Sequence, residues 1–87
     1  MFYTYVLECD LNGKKCLYIG YTIDLKARLI RHKLKKVYAT KKYSNVDLIY
    51  YEACLSEKDA ILREKSLKTG YGRAFVKNRL KYYLSRV

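Results

Sequence analysis

The sequence predicts a small α+β domain of three strands and three helices, in the order β-β-α-β-α-α. The first indication is the pair Asn12-Gly13 between two strand-like runs, which is typical of a hairpin because both central residues of a tight turn need positive φ. The second is a helix start at Asp24 and another at Ser56, each followed by apolar residues at helical spacing. The third is the length of 87 residues, which is enough for one domain and too little for two. We therefore expect a single domain over residues 1–87.

The first two strands are expected on either side of the hairpin turn. A two-residue turn there places Cys9 opposite Cys16. Because side chains alternate between the two faces of a strand, Tyr5 and Tyr18 then lie on one face as diagonal neighbours. The odd number of cysteines and the absence of a C-x-x-C pair favour reduced thiols over a disulfide framework or a zinc site.

The first helix is expected from Leu25 to about Lys36, with Asp24 as its N-cap. It carries two apolar stripes, which are Ile23, Ala27, Ile30 and Leu34 on one side and Leu25 and Leu29 on the other. A helix that is apolar on two sides is expected to contact protein on both. Arg28 and His32 are four residues apart, so they project together beside the second stripe.

A second helix is expected to open at Ser56, which forms a capping-box pattern with Asp59. Its apolar face combines Ala60, Leu67 and Tyr71, with Glu64 in the middle of that face. A carboxylate on an apolar stripe breaks the expected pattern, which is where functional residues often occur. The alternative is a structural glutamate at the edge of the stripe that pairs with Lys68, four residues later.

A third strand over Val46–Cys54 and a third helix complete the predicted chain. Gly70 and Gly72 are expected to end the second helix. The third helix then carries the stripe Val76, Leu80, Tyr83, Leu84 and Val87, with basic residues and Asn78 outside it. Three strands covered by helices on this plan predict an α+β domain.

The charge of the chain points to a polyanionic partner. Nineteen Lys and Arg residues against eight Asp and Glu leave a net charge of +11. Two segments, Lys26–Lys42 and the chain after Glu64, are basic without a single acid. Such segments are typical of phosphate-backbone binding, and eleven interleaved tyrosines favour that interpretation. The alternatives are a solvated face or attraction to an anionic membrane.

Several classes of protein are excluded by missing patterns. There is no apolar run long enough for a membrane span and no secretory leader, so we expect a soluble cytoplasmic protein. There is also no glycine-rich phosphate loop, no nucleophilic triad and no set of zinc ligands. The chemistry-bearing residues that remain, and that local geometry directs toward one region, are Tyr5, Tyr18, Arg28, His32 and Glu64.

Four short blocks of the sequence carry a resemblance to a known family. They are Tyr3-Thr4-Tyr5, Tyr18-Ile19-Gly20, Asp24-Leu25-Lys26-Ala27-Arg28-Leu29 with His32, and Ala60-Ile61-Leu62-Arg63-Glu64 with Leu67-Lys68. In this order and spacing they resemble the GIY-YIG nuclease domain, and the chain length resembles the small stand-alone members related to the N-terminal nuclease domain of an excinuclease. Tyr3 and Thr4 stand in place of Gly and Ile, and Tyr21 stands where some relatives carry lysine.

The resemblance implies a fold and a role for each candidate residue. The implied fold is a three-stranded antiparallel sheet, with the first strand central, flanked by helices. The implied catalytic residues are Tyr5 and Tyr18 from the two half-motifs, Arg28, His32 and Glu64. The implied substrate-binding residues are Arg28, which contacts the scissile phosphate, with Lys33, Lys36 and Asn78. Glu64 matches the family glutamate that binds a single divalent metal ion, Mg²⁺ or Mn²⁺.

The implied function is a metal-dependent endonuclease that hydrolyses DNA phosphodiester bonds. It would be directed by DNA structure or have low sequence specificity, with DNA repair or recombination as its process. The expected partners are DNA and a protein that supplies specificity, with no membrane and no small-molecule cofactor. The alternative is a non-catalytic basic module that binds nucleic acid. Glu64 separates the two, because a pure phosphate binder gains nothing from an anion among its cations.

Overall fold

The computed structural model describes residues 1–86 and confirms the expected α+β fold. Its elements are β1 (Phe2–Leu11), β2 (Lys14–Thr22), α1 (Leu25–Lys33), β3 (Asn45–Cys54), α2 (Glu57–Leu67), α3 (Gly70–Arg79) and α4 (Lys81–Leu84). The order β-β-α-β-α-α is therefore as expected, but the predicted third helix is interrupted at Leu80, whose φ of −113° and ψ of 26° are not helical, and it divides into α3 and α4. Val87, the last residue of the predicted third stripe, lies outside the described residues. No helix within residues 1–86 has the length and apolar character of a membrane span.

The sheet is antiparallel, and its strand order β2-β1-β3 makes β1 the central strand. Asn12 and Gly13 have φ values of 52° and 80°, as the predicted hairpin turn requires. The expected register is confirmed, since Cys9 lies opposite Cys16 and Tyr5 opposite Gly20. All three cysteines are free thiols in this structure.

Two apolar clusters lie on the two faces of the sheet, and β1 contributes to both. On the first face, the buried residues are Tyr5, Leu7, Cys9 and Val46, covered by Leu25 and Leu29 of α1. On the second face, the buried residues are Val6, Ile19, Leu67 and Val76, from the sheet, α2 and α3. Because β1 is covered on both faces, it is buried without interruption from Thr4 to Cys9.

Gly20 lies directly against the ring of Tyr5. A Cβ atom at this position would clash with Cζ and Oη of Tyr5, whose side chain is fully buried and cannot move away. We expect Gly20→Ala to lower the free energy of unfolding by about 1–3 kcal/mol, because the new methyl overpacks the site. Thermal or urea unfolding measures this change. Gly70→Ala is the matched control, since nothing lies within 4 Å of its Cβ position, and an equal loss in both variants would contradict the prediction.

Helix α1 is shorter than expected and contacts protein on one side only within residues 1–86. It ends at Lys33, and Lys35 then adopts a φ of 59° that turns the chain away. The residues Ile23, Ile30 and Leu34 of the predicted first stripe are 65%, 52% and 61% exposed. The expectation of contacts on both sides of α1 is therefore wrong, because no second layer of structure covers its outer face.

The junction between α2 and α3 also differs from the expectation. Gly70 and Gly72 do not end α2 but lie in the first turn of α3, where the Thr69 hydroxyl accepts a hydrogen bond from the Gly72 amide at 3.1 Å. Tyr71 is exposed on α3 and is not part of the apolar face of α2. Ser56 is the N-cap of α2, as expected, but its side chain makes no capping hydrogen bond.

Candidate active site

The two half-motif tyrosines come from neighbouring strands of the hairpin. Tyr5 of β1 is fully buried, and Tyr18 of β2 is partly buried on the same face, with 6.4 Å between the ring centroids. The local sequence determines this arrangement, because the Asn12-Gly13 turn sets the register that puts both rings on one face. Since β2 is an edge strand, Tyr18 stands at the rim of the sheet.

Helix α1 brings Arg28 and His32 to these tyrosines. The Asp24 carboxylate accepts a hydrogen bond from the Ala27 amide at 3.0 Å, which fixes the start of the helix as predicted. The Tyr5 hydroxyl lies 2.8 Å from His32 Nε2 and accepts a hydrogen bond from Arg28 Nε at 3.3 Å. The His32 ring also meets the two tyrosine rings edge to face, with centroids 5.6 and 5.5 Å away.

Thr40 is a member of this cluster that was not expected from the sequence. Its hydroxyl lies 2.7 Å from His32 Nδ1, and both side chains are almost completely buried. A neutral imidazole has one donor nitrogen and one acceptor nitrogen. The ring therefore donates a hydrogen bond to one of the two hydroxyls, Thr40 or Tyr5, and accepts one from the other. No pattern in the sequence indicates Thr40, because it lies in an irregular loop whose path depends on the tertiary fold.

Burial determines the protonation states in this cluster. Burial, followed by the nearby charge of Arg28, lowers the pKa of His32 to about 4, so the imidazole is neutral at pH 7. Burial also raises the pKa of Tyr5, although the hydrogen bond from Arg28 opposes this effect. A tyrosine that acts as a general base needs a lowered pKa, and Tyr5 does not meet that requirement. The hydrogen bond to Tyr5 raises the pKa of Arg28, so the guanidinium stays charged.

The buried neutral His32 predicts a loss of stability in acid. An unfolded histidine has a pKa near 6.5, above the value of about 4 in the folded protein. The unfolded chain therefore binds the proton more tightly than the folded chain does. The contribution of neutral His32 to the free energy of unfolding is fully present above pH ~6.5 and is lost, by up to about 3 kcal/mol, as the pH falls toward 4. Urea unfolding of the wild-type protein and of the His32→Gln variant, at pH 7 and at pH 4, measures this loss of stability. We expect wild type to lose more stability than the variant, and equal losses would contradict the prediction.

Glu64 lies on α2 and is partly buried. Its side chain is 21% exposed, and its negative charge contributes to the raised pKa of Tyr5. Its carboxylate also pairs with Lys68 Nζ at 3.4 Å, which is the structural pairing considered above as the alternative. The observed contact of Glu64 is therefore the structural pairing, and its functional role stays a prediction.

The donor set at Glu64 suits one kind of metal ion. Within residues 1–86 there is no group of three or more His, Cys, Asp or Glu side chains close enough to share a metal. Mg²⁺ often keeps several of its waters and takes only one or two carboxylates together with substrate phosphates. A single partly exposed carboxylate therefore fits Mg²⁺, whereas it does not fit a structural zinc ion.

The three additional substrate-binding candidates are not gathered with this cluster. The Lys33 ammonium turns toward β3, where it contacts the carbonyl oxygen of Val46 and pairs with Asp47 at 3.1 Å. Lys36 is exposed in the turn after α1, and Asn78 is exposed on α3. Lys33 is therefore already engaged within the protein, while Lys36 and Asn78 are open to solvent.

A basic α+β domain that holds two phenols, an imidazole and a guanidinium together on one face of its sheet has groups that suit phosphodiester chemistry. The comparisons with known proteins agree with this class. The chain belongs to the GIY-YIG catalytic domain family, whose sequence profile matches residues 1–84. This is a family of nucleases, which act on DNA and generally use divalent metal ions.

Relatives of known sequence support the same assignment. A UPF0213 protein of Streptococcus pyogenes serotype M5 (strain Manfredo) is 43% identical over 67 residues, which cover 76% of this chain and 70% of the relative. A UPF0213 protein of Streptococcus pyogenes serotype M1 has the same identity and coverage. No solved structure matches significantly. None of these similarities supports the partner protein expected from the sequence.

Proposed function

We propose that this protein is a divalent-metal-dependent endonuclease that hydrolyses DNA phosphodiester bonds at the Tyr5, Tyr18 and Arg28 cluster. The observation that carries the proposal is the contact of Arg28 and His32 with the Tyr5 hydroxyl. DNA repair or recombination in the cytoplasm is the process we assign to it. Low sequence specificity is part of the proposal, because the site itself has no element suited to reading bases.

Arg28 is proposed to hold the scissile phosphate. Its Nε atom donates to Tyr5, which fixes the plane of the guanidinium and leaves the two terminal nitrogens for a phosphate. The Tyr5 hydroxyl is in turn held by His32, and His32 is held by Thr40. We assign Tyr5, His32 and Thr40 to the positioning of Arg28, since all three are buried and none can reach a substrate without rearrangement.

Tyr18 is the proposed acceptor of the proton from the attacking water. It is more exposed than Tyr5, and its phenol oxygen acts electrostatically on Arg28. This assignment makes Tyr18 the catalytic tyrosine and Tyr5 a positioning residue.

Glu64 is the residue proposed to hold one Mg²⁺ or Mn²⁺ ion. When bound, such an ion polarises the phosphate and stabilises the departing oxygen. In the structure, the Lys68 ammonium forms an ion pair with the Glu64 carboxylate. If Glu64 held the ion, Lys68 would lose its ion-pair partner and its charge would be available to the substrate.

The pairing of Glu64 with Lys68 favours one competing function, a basic nucleic-acid-binding module without catalysis. In that case the glutamate only stabilises α2 through an i,i+4 ion pair. A cleavage assay on linear, flap and branched DNAs, with and without Mg²⁺ or Mn²⁺, separates the two functions. Cleavage that requires the metal supports the endonuclease, whereas binding without any cleavage would leave the binding module.

The two tyrosines are expected to respond differently to removal of the hydroxyl. Tyr18→Phe should lower the cleavage rate at saturating DNA by about a hundredfold or more, because it removes the proton acceptor. Tyr5→Phe should lower the rate less and should also weaken DNA binding, because it releases Arg28. Single-turnover rates and DNA affinities of both variants measure the difference. Equal rates for wild type and Tyr18→Phe would contradict the assignment.

A further inference from the structure

A basic groove lies on the sheet face opposite Tyr5, between β2 and the C-terminal helices. Its volume is about 730 Å³. The charged side chains that line it are Lys15, Lys77, Lys81, Arg86 and Glu8. Its apolar wall is formed mainly by Leu17 and Leu84. Arg86 pairs with Glu8, and Lys15 pairs with Asp10 at 2.8 Å, so the positive charge open to a partner comes from Lys77 and Lys81. None of the residues that line the groove belongs to the proposed active site.

The single acid in the groove pairs with one of the groove's own cations, so it offsets one of the four positive charges. Glu8 is only 5% exposed and accepts a hydrogen bond from Arg86 Nη2 at 2.6 Å. The Arg86 guanidinium also stacks on the Tyr83 ring, 3.7 Å from its centroid. Glu8 and Tyr83 therefore hold Arg86 in a fixed orientation at the groove, which lowers the entropy cost of a contact to an anion.

The groove continues toward the proposed active site along β2. A smaller cavity of about 230 Å³ lies beside it and is lined by Lys68 and Arg73. The two cavities share Leu17, and the smaller one also includes Tyr18. A line of cations thus leads from the catalytic tyrosine into the larger groove.

The cations of this line come from two helices. Arg73 and Lys77 lie four residues apart on α3, a rise of about 6 Å, and Lys81 begins α4 after the break at Leu80. Lys77 and Lys81 are both exposed. Neither has an ion-pair partner among residues 1–86, so their charges are open to an external polyanion.

We propose that this groove binds the phosphate backbone of the DNA substrate beyond the cleavage point, so that the strand runs from Tyr18 along β2 to α4. The inference rests on the proposed function, because it concerns the DNA that the active site would cut. It adds that the protein holds its substrate at two places on opposite faces of the sheet. The contacts are to phosphates and carry no sequence information.

The test is the salt dependence of DNA binding, which needs no cleavage. In a duplex several helical turns long, the double variant Lys77→Ala/Lys81→Ala should bind about tenfold more weakly at low salt. The slope of log K against log salt should fall by about 2, because two phosphate contacts are lost. Fluorescence anisotropy at a series of salt concentrations measures both values. A DNA duplex short enough to end near the active site should show a smaller effect of the double variant.

The matched control is Lys58→Ala/Lys65→Ala, which removes the same charge from exposed positions of α2 outside both cavities. The control variant should lose much less DNA affinity than the groove variant. An unchanged salt slope for Lys77→Ala/Lys81→Ala would overturn the groove proposal, and so would equal losses of affinity in both double variants. Binding to anionic vesicles of phosphatidylserine tests the alternative partner, an anionic membrane. If the groove variant loses vesicle binding but keeps its DNA affinity, the groove binds membrane and the proposal is wrong. Failure of the nuclease proposal would be recognised separately, because the wild-type protein would then not cleave DNA.

Discussion

Replacing Glu64 by Gln is expected to abolish metal-dependent cleavage while DNA affinity is retained or increased. The amide has the shape of the carboxylate but lacks the charge that attracts a divalent cation. It also removes an anion from a basic surface, so the electrostatic attraction of DNA should not fall. We expect the cleavage rate to drop at least about a thousandfold, which corresponds to about 4 kcal/mol of transition-state stabilisation. Single-turnover cleavage and anisotropy measure the two properties separately.

Glu57→Gln is the control for this experiment, since it makes the same change of charge on the same helix. Glu57 is exposed in the first turn of α2 and accepts a hydrogen bond from the Tyr21 hydroxyl, away from the Glu64 carboxylate. Its cleavage rate should stay close to that of wild type. Lys68→Ala adds an independent measurement, because it frees Glu64 from its ion pair and should lower the Mg²⁺ concentration needed for half-maximal cleavage. Cleavage by Glu64→Gln at the wild-type rate would eliminate the proposed metal site.

Replacing Arg28 by Ala should cause the loss of both cleavage and part of the DNA affinity. The guanidinium is proposed to contact the phosphate in the bound substrate and in the transition state, so its removal affects both. Removal of one such charged donor pair usually costs about a hundredfold to a thousandfold in rate. The Tyr5 hydroxyl also loses the hydrogen bond from Arg28 Nε, and its position relative to Tyr18 is then less defined.

Arg28→Lys separates charge from geometry. Lysine keeps the positive charge but lacks the planar fork that binds two phosphate oxygens at once, so DNA affinity should largely recover while the cleavage rate stays low. Arg31→Ala is the control, because Arg31 is exposed on the same helix and its side chain donates to the Lys36 carbonyl oxygen, at 3.4 Å. A wild-type cleavage rate in Arg28→Ala would show that Arg28 is not in the site.

The parts of the fold that depend on local interactions could be predicted from the sequence. The Asn12-Gly13 turn determines the pairing of β1 with β2, and through it the position of Tyr5 relative to Tyr18. The Asp24 cap determines where α1 begins, so the direction in which Arg28 projects follows from helical geometry. In each case the interacting residues are close in sequence, and the pattern is readable without knowledge of the rest of the fold.

The other features depend on contacts between distant segments. Thr40 reaches His32 only because the loop after α1 folds back over that helix, and Lys33 is engaged only because β3 passes beside it. Local signals at Gly70 and Gly72 indicate the end of a helix, yet in the structure the chain starts a new one there. Helical periodicity alone also could not show that the stripe containing Ile30 remains uncovered, since that depends on the number of layers in the domain.

The central position of β1 has a consequence for synthesis of the chain. β2 follows β1 through a two-residue turn, so this hairpin can close within microseconds once both strands have been made. β3 begins only at Asn45, and at about 5–20 residues per second the ribosome needs a few seconds to supply it. During that interval the other edge of β1 has no partner and is open to chaperones or to other nascent chains. Glu64 follows later still, so an incomplete chain carries the tyrosine pair without the carboxylate proposed for the metal and should be unable to cut DNA.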